Sequence, residues 1–159
     1  MTPEGLALLR TLEGCRSQVY DDVAGLKTIG VGHCLTKTEC HSGKIRIGAS
    51  WVRYANGLSA AQIDALLQHD LESVEAVIET DVRVPLTPRQ RDCLISLAFN
   101  IGMAAFARST LLKRLNAGAY DEVPAQLERW VYAASRRIPG LVRRRAREAA
   151  YWRGEDVDV

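Results

Sequence analysis

The chain has 159 residues, 47% of them hydrophobic and 25% charged, the proportions of one soluble globular domain with a core of its own, which excludes disorder as the main state. Its net charge of +2 is too even to announce a nucleic-acid binder or a membrane-surface protein. The distribution says more: residues 129–153 hold eight arginines and one acid, so that segment carries +7 and the rest of the chain −5.

In chain order, Thr2-Pro3-Glu4 sets a capping hydroxyl before a first-turn proline, and Leu6, Leu9 and Leu12 recur at helical spacing, which predicts a helix ending near Glu13. Between Gln18 and Val31 the pattern changes to Val19-Tyr20, a polar and glycine turn at Asp22-Val23-Ala24-Gly25, and Thr28-Ile29-Gly30-Val31. Lys44-Ile45-Arg46-Ile47 alternates further on, and together these runs predict one small antiparallel sheet. Ser59 with Gln62 forms a capping box, and Ile63, Leu66, Leu67, Leu71, Val74, Val77 and Ile78 lie along one helical stripe. Thr87-Pro88-Arg89-Gln90 repeats that start, and the helix it opens, through Cys93, Leu94, Leu97, Ala98 and Ile101 to Gly102, should be largely buried. Further helices are predicted over about 109–116, 122–134 and 141–152. The fold class is α+β and mainly helical: a single domain with an N-terminal helix and β lobe over about 1–58 and a helical lobe over about 59–159.

No stretch approaches the roughly 20 apolar residues of a membrane span, and the start MTPEGLALLR lacks a basic leader, so a cytoplasmic chain without an integral membrane segment is expected. Cys15, Cys34, Cys40 and Cys93 are too few and too irregular for a disulfide scaffold; they read as thiols, mostly packing residues. His33-Cys34 and Cys40-His41 cluster, but their spacing fits no zinc pattern, and no metal or cofactor is expected.

Glu13 stands where a helix should end, and the negative end of the macrodipole favours the protonated carboxyl, the form a general acid needs. Asp22, nine residues on, opens a turn in which an Asp side chain accepts backbone N–H groups. Two carboxyls in contrasting environments make the acid and base of glycoside cleavage, although a solvated helix end and an ordinary turn aspartate account equally well for each residue alone.

The whole string from Glu13 to His33, Glu-Gly, then Tyr20-x-Asp22, then Gly25-x-x-Thr28-Ile29-Gly30-x-Gly32-His33, resembles the active-site segment of the phage-type lysozymes, glycoside hydrolase family 24. Phe99-Asn100-Ile101-Gly102, Ser109-Thr110-Leu111-Leu112, Leu115-Asn116-Ala117-Gly118, Arg129-Trp130-Val131 and Gly140-Leu141-Val142 resemble that family's helical lobe in the same order. The resemblance implies a lysozyme-like fold with a cleft between its lobes, and an endolysin that hydrolyses the β-1,4 bond between N-acetylmuramic acid and N-acetylglucosamine in peptidoglycan and so lyses the host cell. It implies Glu13 as general acid, Asp22 as second carboxylate and Thr28 as the hydroxyl holding the attacking water; Asp21 is passed over because Tyr-x-Asp selects Asp22. Inversion at the anomeric carbon needs carboxyls roughly 6.5–9.5 Å apart. Gly30, Phe99 and Asn100 fall at candidate sugar-binding positions: Gly30 as a glycine that lets a glycan or another backbone approach, Phe99 and Asn100 as an aromatic face and an amide suited to an N-acetyl sugar. Phe99 fits a core position as well. His33 is implied to be structural, paired with Asp70. The implied enzyme is a monomer, held in the host cytoplasm until a holin releases it to the wall.

The arginine run admits three readings: a solvated helical face, one arginine (Arg144 or a neighbour) orienting Glu13 as in related enzymes, or attraction to the anionic bacterial envelope. Reversing Arg143, Arg144 and Arg147 together separates them. The run is denser than in relatives, which often carry Asn where this chain has Arg143. Two rivals remain: lytic transglycosylase chemistry, which needs one Glu and against which the presence of both Asp22 and Thr28 argues, and a non-catalytic wall- or nucleic-acid-binding module on the basic face, which requires none of the matched residues.

Overall fold

The computed structural model describes residues 1–22, 25–133 and 135–157. Contacts divide the chain into two compact units: residues 10–73, and residues 1–9 together with 74–159. The division differs from the expected boundary near residue 58. The first nine residues count with the helices, and the long helix opening after Ser59 begins in one unit and finishes in the other.

Helix α1 (Pro3–Glu13) starts as its sequence requires: Thr2 Oγ1 accepts the Gly5 N–H (3.1 Å). It stops at Gly14, whose φ of +75° suits glycine and whose N–H donates to the Arg10 carbonyl (2.8 Å). In the first unit, β1 (Arg16–Asp21), β2 (Lys27–Gly30) and β3 (His33–Cys34) form an antiparallel sheet in that order. Helix α2 (Lys37–Ser42) follows, and then β4 (Lys44–Ile47) and β5 (Ser50–Arg53) pair only with each other. The predicted single sheet is therefore two. Lys44–Ile47 turns back through the two-residue loop Gly48-Ala49, with Gly48 at φ +59°, and finds its partner locally. Helix α2 was not foreseen, although Thr36 and Glu39 build a complete capping box and Gly43 closes the helix in the left-handed region. Ile29, Val31, Leu35, Ile45 and Leu58 are buried here, as are Ile63, Leu66, Leu67 and Leu71 from the first half of α3 (Ala60–Asp81). Ser59 and Gln62 exchange the two capping-box bonds at the start of α3 (2.8 and 3.3 Å).

In the second unit, α4 (Pro88–Ile101) carries the expected Thr87–Gln90 box and is buried without interruption from Asp92 to Ala98. Helices α5 (Met103–Ala107) and α6 (Thr110–Asn116) follow, the latter capped by Ser109. The helix expected over 122–134 is shorter: a 3₁₀ turn at Tyr120–Glu122 leads into α7 (Val123–Leu127). The hairpin β6 (Tyr132–Ala133) and β7 (Arg136–Arg137) then takes over. Past α7 the chain is bonded to other elements: the Trp130 carbonyl accepts Arg145 Nε (3.0 Å) and the Val131 carbonyl accepts the Ile138 N–H (2.8 Å). Ala134 lies outside the described residues. Helix α8 (Pro139–Trp152) begins at its proline, two residues earlier than predicted, and packs on α4 and α7.

The charge run divides by burial. Arg144 and Arg145 are buried against Glu148, which is 0% exposed, while Arg129, Arg136, Arg137, Arg143, Arg147 and Arg153 are exposed. The cysteines are thiols, as expected, but only Cys93 is a packing residue; Cys15, Cys34 and Cys40 are exposed. Among the described residues no helix is long and apolar enough to cross a membrane.

Candidate active site

Glu13 is the last residue of α1 and is half-buried; Asp22 is the first residue beyond β1, also half-buried; Thr28 lies in β2 and is 4% exposed. All three belong to the 10–73 unit. Register fixes which side chains share a face: Tyr20 stands opposite Thr28, and Thr28 opposite Cys34, so these three line one side of the sheet. Asp21 stands opposite Lys27 on the other side, and the two form an exposed ion pair (3.0 Å). Asp22, two residues beyond Tyr20, leaves the strand on the Tyr20 side by the alternation of the pleat.

Asp22 is held by backbone, as its place in the turn predicted. Its Oδ1 accepts the Leu26 N–H (2.8 Å), its own N–H donates to the Leu26 carbonyl (2.9 Å), and its carbonyl accepts from Gly25 N–H (3.0 Å). Val23 and Ala24 of that turn lie outside the described residues. Thr28 Oγ1 donates to the Leu26 carbonyl (3.1 Å), which commits its one hydrogen and orients its lone pairs to accept.

Two neighbours carry the electrostatic signature of the carboxyls. Burial raises the Tyr20 phenol above its ordinary value; Arg16, whose guanidinium stands 4.8 Å over the ring, opposes the shift, and Glu13 and Asp22 both reinforce it. The Cys34 thiol is likewise raised, first by burial and then by Asp22, Cys40 and Glu39. Sequence reasoning took no notice of Tyr20 beyond its motif and read Cys34 as packing. The available signal was Cys34's place in the third strand, opposite the threonine.

Gly30 is buried, and a side chain there would point at Leu66 Cδ2 (3.5 Å) and Ile63 Cγ2 (3.8 Å), with φ at +67°. The glycine lies under α3, and of the two expectations for it this is the close approach of another part of the chain. Phe99 (half-buried) and Asn100 (exposed) occupy the last turn of α4 in the other unit, and Asn100 Oδ1 accepts from Arg145 Nη2.

His33 is bound as expected. Its Nδ1 meets both Asp70 oxygens (2.8 and 3.0 Å), and its Nε2 lies 3.4 Å from Glu39 Oε2. Burial lowers the imidazole's affinity for its proton, but the bond to Asp70 and the charges of Asp70 and Glu39 outweigh it, and the net shift is upward. Among the described residues no group of His, Cys, Asp and Glu is arranged to hold a metal. A recess of about 790 Å³, lined by Thr2, Pro3, Thr87, Pro88 and Trp152 among others, belongs to the helical unit and contains none of the predicted catalytic residues.

Comparison with known proteins bears on the family and the fold. The sequence profile of the phage lysozyme family matches residues 10–148. The chain is 42% identical over 147 residues to the SAR-endolysin of Escherichia phage Mu, covering 91% of this chain and 77% of that one. Among solved structures, a P22 lysozyme mutant is 37% identical, with a TM-score of 0.77 and coverage of 96% and 97%. The muramidase domain of SpmX from Asticaccaulis excentricus is 31% identical, with a TM-score of 0.76 and 95% coverage of both chains. With a lysozyme-like α+β fold and a profile match across most of its length, the chain belongs to the phage lysozyme family.

Proposed function

We propose that the chain is an endolysin of the lysozyme type that degrades bacterial peptidoglycan, and that it does so as an N-acetylmuramidase cutting the β-1,4 bond between N-acetylmuramic acid and N-acetylglucosamine. The observation that carries this reading is the sheet register, which sets Thr28 beside Tyr20 with Asp22 leaving the strand on that same side, while Asp21 is turned to Lys27 on the opposite face. In this reading Glu13 gives its proton to the glycosidic oxygen as the bond from C1 breaks. Asp22 takes a proton from the water that bonds to C1, and Thr28 accepts a hydrogen bond from that water, because its own hydrogen is spent on the Leu26 carbonyl. Attack by water on the face opposite the leaving group gives inversion. Phe99 and Asn100 are proposed sugar contacts. The enzyme acts at the cell wall, reached from the host cytoplasm through a lesion made by a holin.

The test is incubation of the pure protein with purified sacculi. Reducing-end N-acetylmuramic acid is the expected product; an anhydro product, lighter by one water, would assign transglycosylase chemistry instead. Glu13→Gln and Asp22→Ala should each lower the rate by about 10²- to 10⁴-fold with the fold intact, whereas Asp21→Ala should leave it unchanged. Full lysis by Glu13→Gln removes that residue from the mechanism.

A further inference from the structure

The buried side chain of Arg145 in the helical unit is bonded through every nitrogen of its guanidinium, and a lysozyme mechanism makes no direct use of it. It is 1% exposed and all three guanidinium nitrogens are committed: Nε to the Trp130 carbonyl (3.0 Å), Nη1 to Glu148 Oε2 (2.5 Å) and Nη2 to Asn100 Oδ1. Glu148 is itself anchored, its Oε1 accepting from Ser96 Oγ (2.7 Å) and Arg144 Nε (3.1 Å). One end of the network is therefore wholly buried, and the other ends on an exposed carboxamide.

A guanidinium can only donate. The atom of Asn100 that faces Arg145 must be the oxygen, and the Nδ2 group, with its two hydrogens, faces the other way. An asparagine on a surface ordinarily turns over freely and offers a donor or an acceptor. This one is fixed to offer a donor.

We propose that Arg145 is a positioning residue for substrate binding: through the Glu148–Arg145–Asn100 chain it holds the Asn100 carboxamide with its N–H₂ group outward, selecting an acceptor oxygen such as the carbonyl of an N-acetyl sugar. The proposal rests on the reading of Asn100 as a sugar contact. Burying an ion pair costs desolvation that its Coulombic gain scarcely repays; what this cluster adds is orientation, because a forked donor anchored at two other points leaves its third nitrogen one direction.

The experiment measures kcat and KM on soluble glycan fragments of peptidoglycan, with melting followed by circular dichroism. Arg145→Lys keeps a cation for Glu148 but loses the fork; it should raise KM about tenfold and change kcat by less than twofold. A purely structural role would instead reduce the folded fraction, lowering the apparent kcat at constant KM. Asn100→Ala should raise KM by a similar factor, and the double variant should match Asn100→Ala alone, because the arginine acts only through the amide. Asn100→Asp keeps an acceptor for Arg145 and removes the outward donor; it should raise KM with no loss of melting temperature, and it decides the question even if Arg145→Lys does not fold. An unchanged KM in Asn100→Ala overturns the sugar-contact reading and the proposal with it. A raised KM in Asn100→Ala with multiplicative effects in the double variant, or an unchanged KM in Asn100→Asp, overturns the proposal alone.

Discussion

Replacing Asp70 with Asn removes the charge facing His33 Nδ1 while keeping the side chain's shape. The side chains of His33, Asp70 and Glu39 are 13%, 18% and 11% exposed. This is not the screened surface pair whose loss costs at most about 1 kcal/mol. Breaking a fully buried pair costs about 3–5 kcal/mol, and the water still reaching this cluster places the expected loss at about 2–4 kcal/mol. For a chain of this length that is a fall of about 5–15 °C in melting temperature. The pH dependence gives the sharper test. The His33 proton affinity is raised in the folded state, so its contribution is complete below the ordinary value of 6.5 and is lost as pH rises through the folded value. Glu39 goes the other way: burial alone would raise its carboxyl, but the Thr36 N–H and hydroxyl, and then His33, hold it below the ordinary 4.5. Its contribution is present above 4.5 and is lost as pH falls through the folded value. The wild-type advantage over Asp70→Asn should be in place near pH 6 and shrink as pH rises through the folded value of His33, measured by urea unfolding at a series of pH values. Glycan cleavage at 25 °C should be retained, since His33 and Asp70 lie outside the proposed reaction. An advantage that is flat or growing from pH 6 to 9 refutes the account of the pair.

Gly5→Ala on α1 should destabilise despite alanine's better helix propensity, because the added Cβ would stand 2.8 Å from Asp92 Cβ and nearer still to its carboxylate. Asp92 is 1% exposed and fixed by the Thr2 N–H (3.1 Å), so it cannot move aside freely. Overpacking of this kind costs about 1–3 kcal/mol, against a gain of at most about 1 kcal/mol from propensity, and a rise in melting temperature would show that Asp92 yields. For the basic face, reversing Arg143 and Arg147 together should weaken action on whole cells in a salt-dependent way and spare cleavage of soluble fragments. Arg144 must be left out of that test, because it is buried against Glu148 and its reversal would unfold the unit.

What was legible in the sequence is what depends on neighbours in the chain. Ser59–Gln62 and Thr87–Gln90 announced α3 and α4 because a capping box closes over three residues, and the Asp22 turn was legible for the same reason. Thr36–Glu39 carries the same signal, but α2 has only six residues and no hydrophobic stripe to draw attention to it. The turn from α7 into the hairpin was not legible, since the partners that hold that segment, Arg145 for the Trp130 carbonyl and Ile138 for that of Val131, lie further along the chain. Nor was the division of the arginine run. The spacing of Arg144 and Arg145 from Glu148 permits pairing on a helix, but only the packing of α8 on α4 takes that pair out of water. In the candidate site, motif spacing pointed to Asp22 over Asp21, while the packing of Gly30 beneath Ile63 and Leu66 of α3 was not legible, because those residues lie more than 30 positions further on.

The choice between the adjacent aspartates shows how little of the candidate site depends on side chains alone. Asp21 remains in the ladder, and its exposed bond to Lys27 contributes at most about 1 kcal/mol. Asp22 is fixed by Leu26, and so is Thr28. The Leu26 N–H binds the Asp22 carboxylate, and its carbonyl receives the Thr28 hydroxyl hydrogen. One peptide residue sets the orientation of both groups proposed to handle the water. The Leu26 side chain is 53% exposed and contributes nothing to that arrangement, whereas its backbone contributes both bonds. The two groups therefore cannot be tuned separately: a change in the turn that moves the Leu26 N–H away from Asp22 also moves the carbonyl that determines where Thr28 can accept.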